Sequence, residues 1–229
     1  MKKLIKTAFL DTVPVMTGYL VLGIGFGIVL NTRGYGVLWS FLMSTFIYAG
    51  SMQFVTIDLL GAGASLITVA LTTLMVNCRH LFYGISMVDK YKATGAAKPY
   101  LIFSLTDETY SLVCSDREQM TDDERKKYYL LVSVFDQCYW ISGSIIGSLL
   151  GMILPFNVDG IDFALTALFM TVLVEQWLST KDHSSAIVGI VSSVICLLIF
   201  GSDNFLIPAM LLITLVLTIM KRIRKEADV

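Results

Sequence analysis

Residues 74–86 read LMVNCRHLFYGIS, an apolar stretch in which an arginine stands next to a histidine. The apolar run that contains them, from residue 64 to residue 88, is long enough to cross a bilayer as an α-helix. An arginine at the centre of such a helix costs about 3 kcal/mol on insertion scales. Charged side chains inside membranes face the interior of a helix bundle and pair there, so we expect Arg79 to have a polar partner within the protein.

The rest of the chain has the same apolar character. Of its 229 residues, 55% are hydrophobic and 15% are charged, whereas soluble domains carry about 25% charged residues. The sequence therefore predicts an all-α, polytopic integral membrane protein, with about seven or eight transmembrane or re-entrant helices. A net charge of −1 supplies no basic surface for nucleic acid, so we expect no nucleic-acid partner.

Polar segments divide the apolar runs into two halves. The first half covers residues 1–115 and the second covers residues 129–229, joined by a charged connector at 116–128. The predicted helices lie at about 13–30, 36–60, 64–88, 100–115, 129–153, 161–178, 185–200 and 204–220.

The two halves share a glycine spacing. Gly27 and Gly36 in the first half correspond to Gly151 and Gly160 in the second, and each pair is followed by an apolar run. This spacing indicates an internal repeat, and broken helices at the repeat interface hold the substrate in many transporters. Chance similarity between two apolar stretches is the alternative.

The positions of the basic residues leave two topologies open. Basic residues at 2–6 and at 221–225 place both ends of the chain in the cytoplasm. If every segment spans the membrane, the lysines at 90–98 lie on the outer side, against the positive-inside rule. If 36–60 and 100–115 are both re-entrant, those lysines return to the cytoplasmic side.

The segment 36–60 carries a signal for a broken helix. Adjacent glycine and serine, as in Ala49-Gly50-Ser51, favour a kink or an unwound turn. A helix that restarts near Ser51 would direct its free N–H groups and positive end towards an anion such as a carboxylate. Gly50, Ser51 and Gln53 are therefore candidate substrate contacts, with a simple kink as the alternative.

Helical spacing places the polar residues around Arg79 on two neighbouring faces. Asn77, His80 and Gly84 share one face, and Arg79 shares the next with Tyr83. Asn77, Arg79 and His80 are candidate substrate contacts, and His80 could shuttle protons. A structural ion pair, or an arginine that snorkels to the membrane edge, is the alternative.

Carboxylates in apolar surroundings are the candidate partners of Arg79, namely Asp107, Glu108, Asp136 and Glu175. Asp107 and Glu108 point about 100° apart on a helix, so one can pair with Arg79 while the other takes up a proton. A carboxylic acid buried away from water can load and release a proton near neutral pH, which proton-coupled transport requires. Asp107, Glu108 and Glu175 are therefore candidate proton-coupling residues.

A glycine cluster at residues 18–27 has two interpretations. Gly23 and Gly27 stand four residues apart, a spacing that lets membrane helices approach closely. The alternative is a broken helix with its backbone facing the substrate. The motifs of nucleotide binding, zinc hydrolysis and serine nucleophiles are missing from the sequence, so we expect a protein that is not an enzyme and has no cofactor or metal.

The order of motifs resembles the AzlC family, the large subunits of bacterial branched-chain amino acid exporters. The likeness covers about residues 10 to 115 most specifically, through GIGFG, STFIYAGSMQF, VNCRHLFYGIS and LTDETY. By likeness, three groups of positions carry over: Gly50, Ser51 and Gln53; Asn77, Arg79 and His80; and Asp107 and Glu108.

The resemblance implies a multi-pass permease of the bacterial cytoplasmic membrane. It would export leucine, isoleucine, valine and in some members methionine, together with a small AzlD-type membrane subunit. Proton coupling is the expected energy source, because no nucleotide site is present. An exporter of another small solute, or a membrane scaffold subunit that transports nothing, is the alternative.

Overall fold

The computed structural model forms nine α-helices and one 3₁₀ helix over its described residues. These residues are 2–114, 120–153, 167, 170, 173–174, 177–178, 180, 182–201 and 205–227. The chain divides into two compact units, one ending at Thr166 and one beginning at Ala167. Most of the predicted helix at 161–178 lies outside the described residues.

In the first unit the helices are α1 (Lys2–Thr32), α2 (Val37–Phe46), α3 (Gly50–Gly61), α4 (Leu66–Tyr91), the 3₁₀ helix (Lys92–Ala97), α5 (Lys98–Phe103), α6 (Asp107–Val113) and α7 (Asp122–Ile153). The segments 36–60 and 100–115, each predicted as one helix, are both divided into two short helices. The last part of the predicted connector is helical, because α7 already begins at Asp122.

The two long helices α1 and α7 pack side by side and run in the same direction. Near their starts, the Tyr128 hydroxyl donates to Asp11 at 2.9 Å. Near their ends, a Cβ added at Gly151 would lie 3.1 Å from the Asn31 side chain. The α7 residue that another helix contacts therefore shows how far along this unit that helix lies.

Glycines let α1 and α7 touch backbone to backbone. A Cβ added at Gly23 would lie 3.0 Å from the Ser144 nitrogen, and one at Gly143 would lie 2.9 Å from the Leu20 oxygen. A Cβ at Gly27 would overlap the Ser144 carbonyl. The prediction that Gly23 and Gly27 form a close-packing face is confirmed.

Helix α2 runs towards the start of α7. The Ser40 hydroxyl donates to the Ser144 carbonyl at 2.8 Å. One and a half turns later, the Thr45 carbonyl accepts from the Gln137 side chain at 3.1 Å. Because Gln137 precedes Ser144 by two turns of α7, α2 descends along that helix.

Helix α3 runs back towards the end at which α2 began. The chain reverses at Tyr48, whose φ of +43° lies in the left-handed region that side chains rarely adopt. Helix α3 then starts at Gly50, and its last turn brings Asp58 within 3.9 Å of Arg33, just beyond the end of α1. The prediction of a helix break at Ala49-Gly50-Ser51 is confirmed, and we call α2 and α3 the first hairpin.

Helix α4 then descends the full depth of the unit and bends by 49° between Leu81 and Tyr83. Its last residue, Tyr91, lies with its ring centroid 5.8 Å from that of Tyr129. Tyr91 and Tyr129 share a buried cluster with Ala8. The start of α1, the end of α4 and the start of α7 therefore lie at the same end of the unit.

Helices α5 and α6 form a second hairpin that enters from this end. The Tyr100 hydroxyl of α5 donates to Gln137 at 2.8 Å, several turns into α7. After a break at residues 104–106, α6 returns, and its last residue, Val113, packs in the buried cluster with Tyr128. The two hairpins thus enter from opposite ends and meet near the middle of α7.

In the second unit, α8 (Ser184–Phe200) packs against α9 (Leu206–Ala227). These helices correspond to the predicted segments 185–200 and 204–220. Gly201 ends α8 with a φ of +73°. Ahead of α8, the rings of Trp177 and His183 stack with centroids 4.1 Å apart.

Among the described residues, α1 and α7 are long and apolar enough to cross a membrane, and α4 is a third such helix if its two bent parts count as one span. The other apolar helices, such as α2 and α8, are shorter. The expected number of seven or eight transmembrane or re-entrant helices is therefore not confirmed, although every described element is helical.

Candidate functional site

Arg79, in the middle of α4, joins the two hairpins. Its Nη2 donates to the Ser51 hydroxyl at 3.0 Å, and its Nη1 forms an ion pair with the Asp107 carboxylate. Ser51 is the second residue of α3, and Asp107 is the first residue of α6. Arg79 therefore has the polar partners that its place in an apolar run predicts.

Glu108 points away from this ion pair, as its position beside Asp107 on a helix predicts. The Tyr19 hydroxyl of α1 donates to Glu108 Oε2 at 2.7 Å. The same hydroxyl lies 2.7 Å from the Thr106 hydroxyl. The two adjacent acids thus contact different helices, Asp107 on α4 and Glu108 on α1.

Asp136, predicted as a possible partner of Arg79, has another partner in the structure. Its Oδ2 accepts from the Thr109 hydroxyl at 2.8 Å. The Asp136 side chain is fully buried, and its Oδ1 has no hydrogen-bond partner among the described residues. Burying a carboxylate with one oxygen that has no hydrogen-bond partner costs free energy unless the group holds a proton or a ligand.

Both polar atoms of the Gln53 side-chain amide form hydrogen bonds, which connect α3 to α7 and to α2. Its Oε1 accepts from Trp140 Nε1 at 2.8 Å, and its Nε2 donates to the Ser44 hydroxyl at 3.3 Å. Gly50 also faces α7, where an added Cβ would lie 3.3 Å from the Trp140 ring. Both residues therefore contact α7, and their role as substrate contacts stays a prediction.

A cavity of about 490 Å³ lies beside the break in the first hairpin. Tyr48 and Ala49 line it from the break, and Asn77, His80 and Gly84 line it from α4. The prediction that these three residues share one face of a helix is confirmed. The unwound turn of the first hairpin and this face of α4 together form the pocket.

The rest of the wall is largely apolar, contributed by Ile47, Leu81, Met87, Val88, Ile102 and Phe103. The side-chain oxygen of Asn77 is buried and has no hydrogen-bond partner among the described residues. His80 Nδ1 lies 3.2 Å from the backbone carbonyl oxygen of Asn77. Lys98 also lines the cavity. An apolar pocket with a few polar groups is typical of small-molecule sites.

The structure distributes the predicted site residues over four places, one of which is the contact of Gly50 and Gln53 with α7. Ser51, Arg79 and Asp107 meet where the hairpins join, whereas Asn77 and His80 lie in the pocket. Glu108 is bonded to α1. Glu175 lies outside the described residues.

The polar residues that sequence reasoning missed lie mainly on α7. A stripe of polar side chains repeats every three or four residues along the face of α7 that carries Asp136. It consists of Ser133, Gln137, Trp140 and Ser144, which are all buried. A polar stripe at helical spacing within an apolar helix marks a face that meets other polar groups. This stripe in the sequence indicates the part of α7 against which the two hairpins pack.

Comparison with known proteins gives a family for this arrangement. A family model described as AzlC protein matches residues 14–154. The chain is also 41% identical over 224 residues to the branched-chain amino acid transport protein AzlC of Bacillus subtilis, an alignment that covers 98% of this chain and 88% of that protein.

Other similar proteins are membrane proteins. The chain is 41% identical over 215 residues to an uncharacterized membrane protein of Haemophilus influenzae, covering 93% of this chain and 87% of that protein. It is 27% identical over 192 residues to the inner membrane protein YgaZ of Escherichia coli, covering 80% of this chain and 78% of that one. No solved structure matches the chain at a significant level.

Proposed function

The chain belongs to the AzlC family, and from this premise we propose that it exports branched-chain amino acids across the bacterial cytoplasmic membrane. The substrates are leucine, isoleucine, valine and also methionine. The chain acts as the large subunit of a two-component permease, with a small AzlD-type subunit as its partner. It is a transporter and not an enzyme.

The pocket beside the first hairpin is the observation that carries this proposal. An amino acid with an aliphatic side chain needs an apolar wall, an acceptor for its ammonium group and a positive group for its carboxylate. The apolar wall surrounds the side-chain oxygen of Asn77, which is unpaired among the described residues and can accept a hydrogen bond from the ammonium group. Lys98, in the same wall, supplies positive charge for the carboxylate.

The directions of the helices support a topology for the transporter. Basic residues gather where α1 and α7 start and α4 ends, and the positive-inside rule assigns that end to the cytoplasm. These residues are Lys2, Lys3, Lys6, Lys90, Lys92, Lys98, Arg125, Lys126 and Lys127. The first hairpin then enters from outside and the second from inside. Broken helices that meet at mid-depth suit alternating access to a central site.

Proton coupling is the energy source in this proposal. A carboxylate inside the membrane can carry a proton across when the protein changes conformation. Asp107 and Glu108 lie where the second hairpin meets α4 and α1, so movement of that hairpin would change their surroundings. Glu175 stays a candidate on its sequence position alone.

The experiment that tests the proposal is leucine flux in proteoliposomes that contain the protein, with and without the small subunit, under an imposed pH gradient. We expect flux that follows the gradient and that falls in Asp107→Asn. Folded protein that moves no leucine in either preparation would rule out this cargo. A screen of other small amino acids and organic acids on the same vesicles would then separate a different cargo from a scaffold that transports nothing.

A further inference from the structure

Five side chains form an unbroken hydrogen-bonded chain that has a carboxyl group at each end. It starts at Glu108 Oε2, which lies 2.7 Å from the Tyr19 hydroxyl, and continues over 2.7 Å to the hydroxyl of Thr106. The Thr106 hydroxyl then donates to the Thr109 hydroxyl at 3.1 Å, and the Thr109 hydroxyl donates to Asp136 Oδ2 at 2.8 Å. Three hydroxyl groups thus connect the two acids.

Counting the hydrogens shows that this chain lacks one proton when both acids are ionised. It has four oxygen-to-oxygen links, and each hydroxyl brings a single hydrogen. The Tyr19 hydrogen points to Glu108 and the Thr109 hydrogen points to Asp136, since carboxylates only accept. The Thr106 hydrogen can fill just one of the two remaining links. Two oxygens would then face each other with lone pairs alone, whereas one added proton fills every link.

We propose that these five side chains hold one proton between Glu108 and Asp136 and pass it along the three hydroxyls. This inference rests on the proposed function, for which it supplies the path of the coupled proton. When Asp136 carries the proton, the Thr106 and Thr109 hydroxyls turn away from the donor directions seen in the structure, so that each hydroxyl donates towards the ionised Glu108. When Glu108 carries the proton, each hydroxyl donates towards Asp136. Transfer breaks one O–H bond and forms one O–H bond at every step, so no other reactant is needed.

Burial gives the chain a closed end and an open end. Asp136 and Thr109 are fully buried, and Thr106 and Tyr19 are buried as well. Glu108 is partly exposed. A proton therefore enters or leaves through Glu108, while Asp136 keeps it away from water.

Other charged and titratable groups surround both ends. On the Glu108 side, Asp107 is neutralised by Arg79, and Tyr83 of α4 lies within electrostatic range. His80, on the neighbouring face of α4, interacts with the ion pair of Arg79 and Asp107. The phenol of Tyr48, in the first hairpin, interacts with both Asp136 and Glu108. The phenol of Tyr100, in the second hairpin, interacts with Asp136. Asp136 thus has no basic group among its described neighbours that would take its proton.

The hydrogen-bonded chain also connects three separate parts of the fold. Thr106, Thr109 and Glu108 belong to the second hairpin, whereas Tyr19 lies on α1 and Asp136 on α7. A shift of the hairpin away from α1 and α7 would open the links at Tyr19 and Asp136. The position of the proton and the position of the hairpin are therefore linked.

The first test reads the proton without transport, by infrared spectroscopy of the full-length protein in lipid nanodiscs. We expect one protonated carboxyl band at neutral pH that shifts in D₂O and is lost in the double variant Glu108→Gln/Asp136→Asn. Thr109→Val, which removes a hydroxyl, should move this band, while Thr109→Ser should leave it in place. A wild-type spectrum without such a band, or a band that persists in the double variant, would overturn the proposal.

The second test separates the proton path from the cargo. We expect Thr109→Val to lower pH-driven leucine flux by about a hundredfold while leucine exchange without a gradient continues, and Thr109→Ser to keep both activities. Gradient-driven flux at the wild-type rate in Thr109→Val would refute the path. Absence of leucine movement in every variant would refute the proposed cargo, and the infrared result alone would then decide on the proton.

Discussion

The ring centroid of Tyr48 lies 6.3 Å from that of Phe103, and each residue sits at the break of a different hairpin. Tyr48 ends the descent of the first hairpin, and Phe103 is the last residue of α5. Both residues line the pocket. The pocket is thus formed where two unwound turns meet, which is where backbone polar groups at membrane depth can face a ligand.

Close packing of α1 on α7 predicts a position-specific response to larger residues. Gly27→Val should lower the free energy of unfolding by about 1–3 kcal/mol or more, because its side chain would overlap the backbone of α7. Gly25 on the same helix has open space around it, so Gly25→Val is the matched control. Thermal unfolding in detergent measures both. Equal effects of the two variants would contradict the packing.

The amide network of Gln53 predicts a loss of stability rather than of substrate affinity. Gln53→Leu should destabilise by about 1–3 kcal/mol, because the Trp140 N–H and the Ser44 hydroxyl would lose a buried partner. Leucine flux per folded molecule should stay at the wild-type level. Thr56→Ala is the control, because among the described residues the Thr56 hydroxyl bonds to the Met52 carbonyl of the same helix. A stable variant with weakened leucine binding would instead return Gln53 to the substrate site.

The ion pair between Arg79 and Asp107 predicts coupling between two substitutions. Arg79→Gln and Asp107→Asn should each destabilise the protein, and the double variant should lose less than the sum by about 1 kcal/mol. The value is modest because the Arg79 and Asp107 side chains are 33% and 24% exposed. Thermal unfolding of the three variants gives the coupling directly. If Arg79→Gln lowers stability but leaves flux per folded molecule intact, the residue only locks the hairpins together.

The open oxygen of Asn77 predicts a loss of affinity. Asn77→Leu should raise the leucine dissociation constant about tenfold or more, since a hydrogen bond to a charged ammonium contributes about 1.5–3 kcal/mol. Cys78→Ala is the neighbouring control, because the pocket is lined by Asn77 and His80 but not by Cys78. Titration of the two purified variants with leucine compares them. Similar affinities in both would place the ammonium group elsewhere.

Local chemistry in the sequence was enough to predict the parts of this fold that depend on short-range patterns. The Gly50-Ser51 pair predicted the break before α3, and helical spacing predicted the face that Asn77 shares with Gly84. The adjacency of Asp107 and Glu108 predicted that they point apart. Each of these depends on fewer than ten residues of chain.

Contacts between distant segments could not be predicted in this way. Several carboxylates were equally plausible partners for Arg79, and only packing selects Asp107 over Asp136. The sequence predicts Gln53 as a substrate contact, and nothing near it in the sequence indicates that Trp140 donates a hydrogen bond to it. The second break, at residues 104–106, carries no glycine, and the only indication of it in the sequence is the re-entrant topology for residues 100–115.

The bond from Gln137 to the Thr45 carbonyl spans 92 residues of sequence, and it has a consequence for biosynthesis. At ribosomal speeds, the first hairpin must wait roughly 5–20 s for α7 to be made. During that time the carbonyl at its break has no partner from α7, although unsatisfied backbone is unfavourable in lipid. The nascent first half must therefore stay next to the insertion machinery, or to water, until α7 emerges and closes the structure around it.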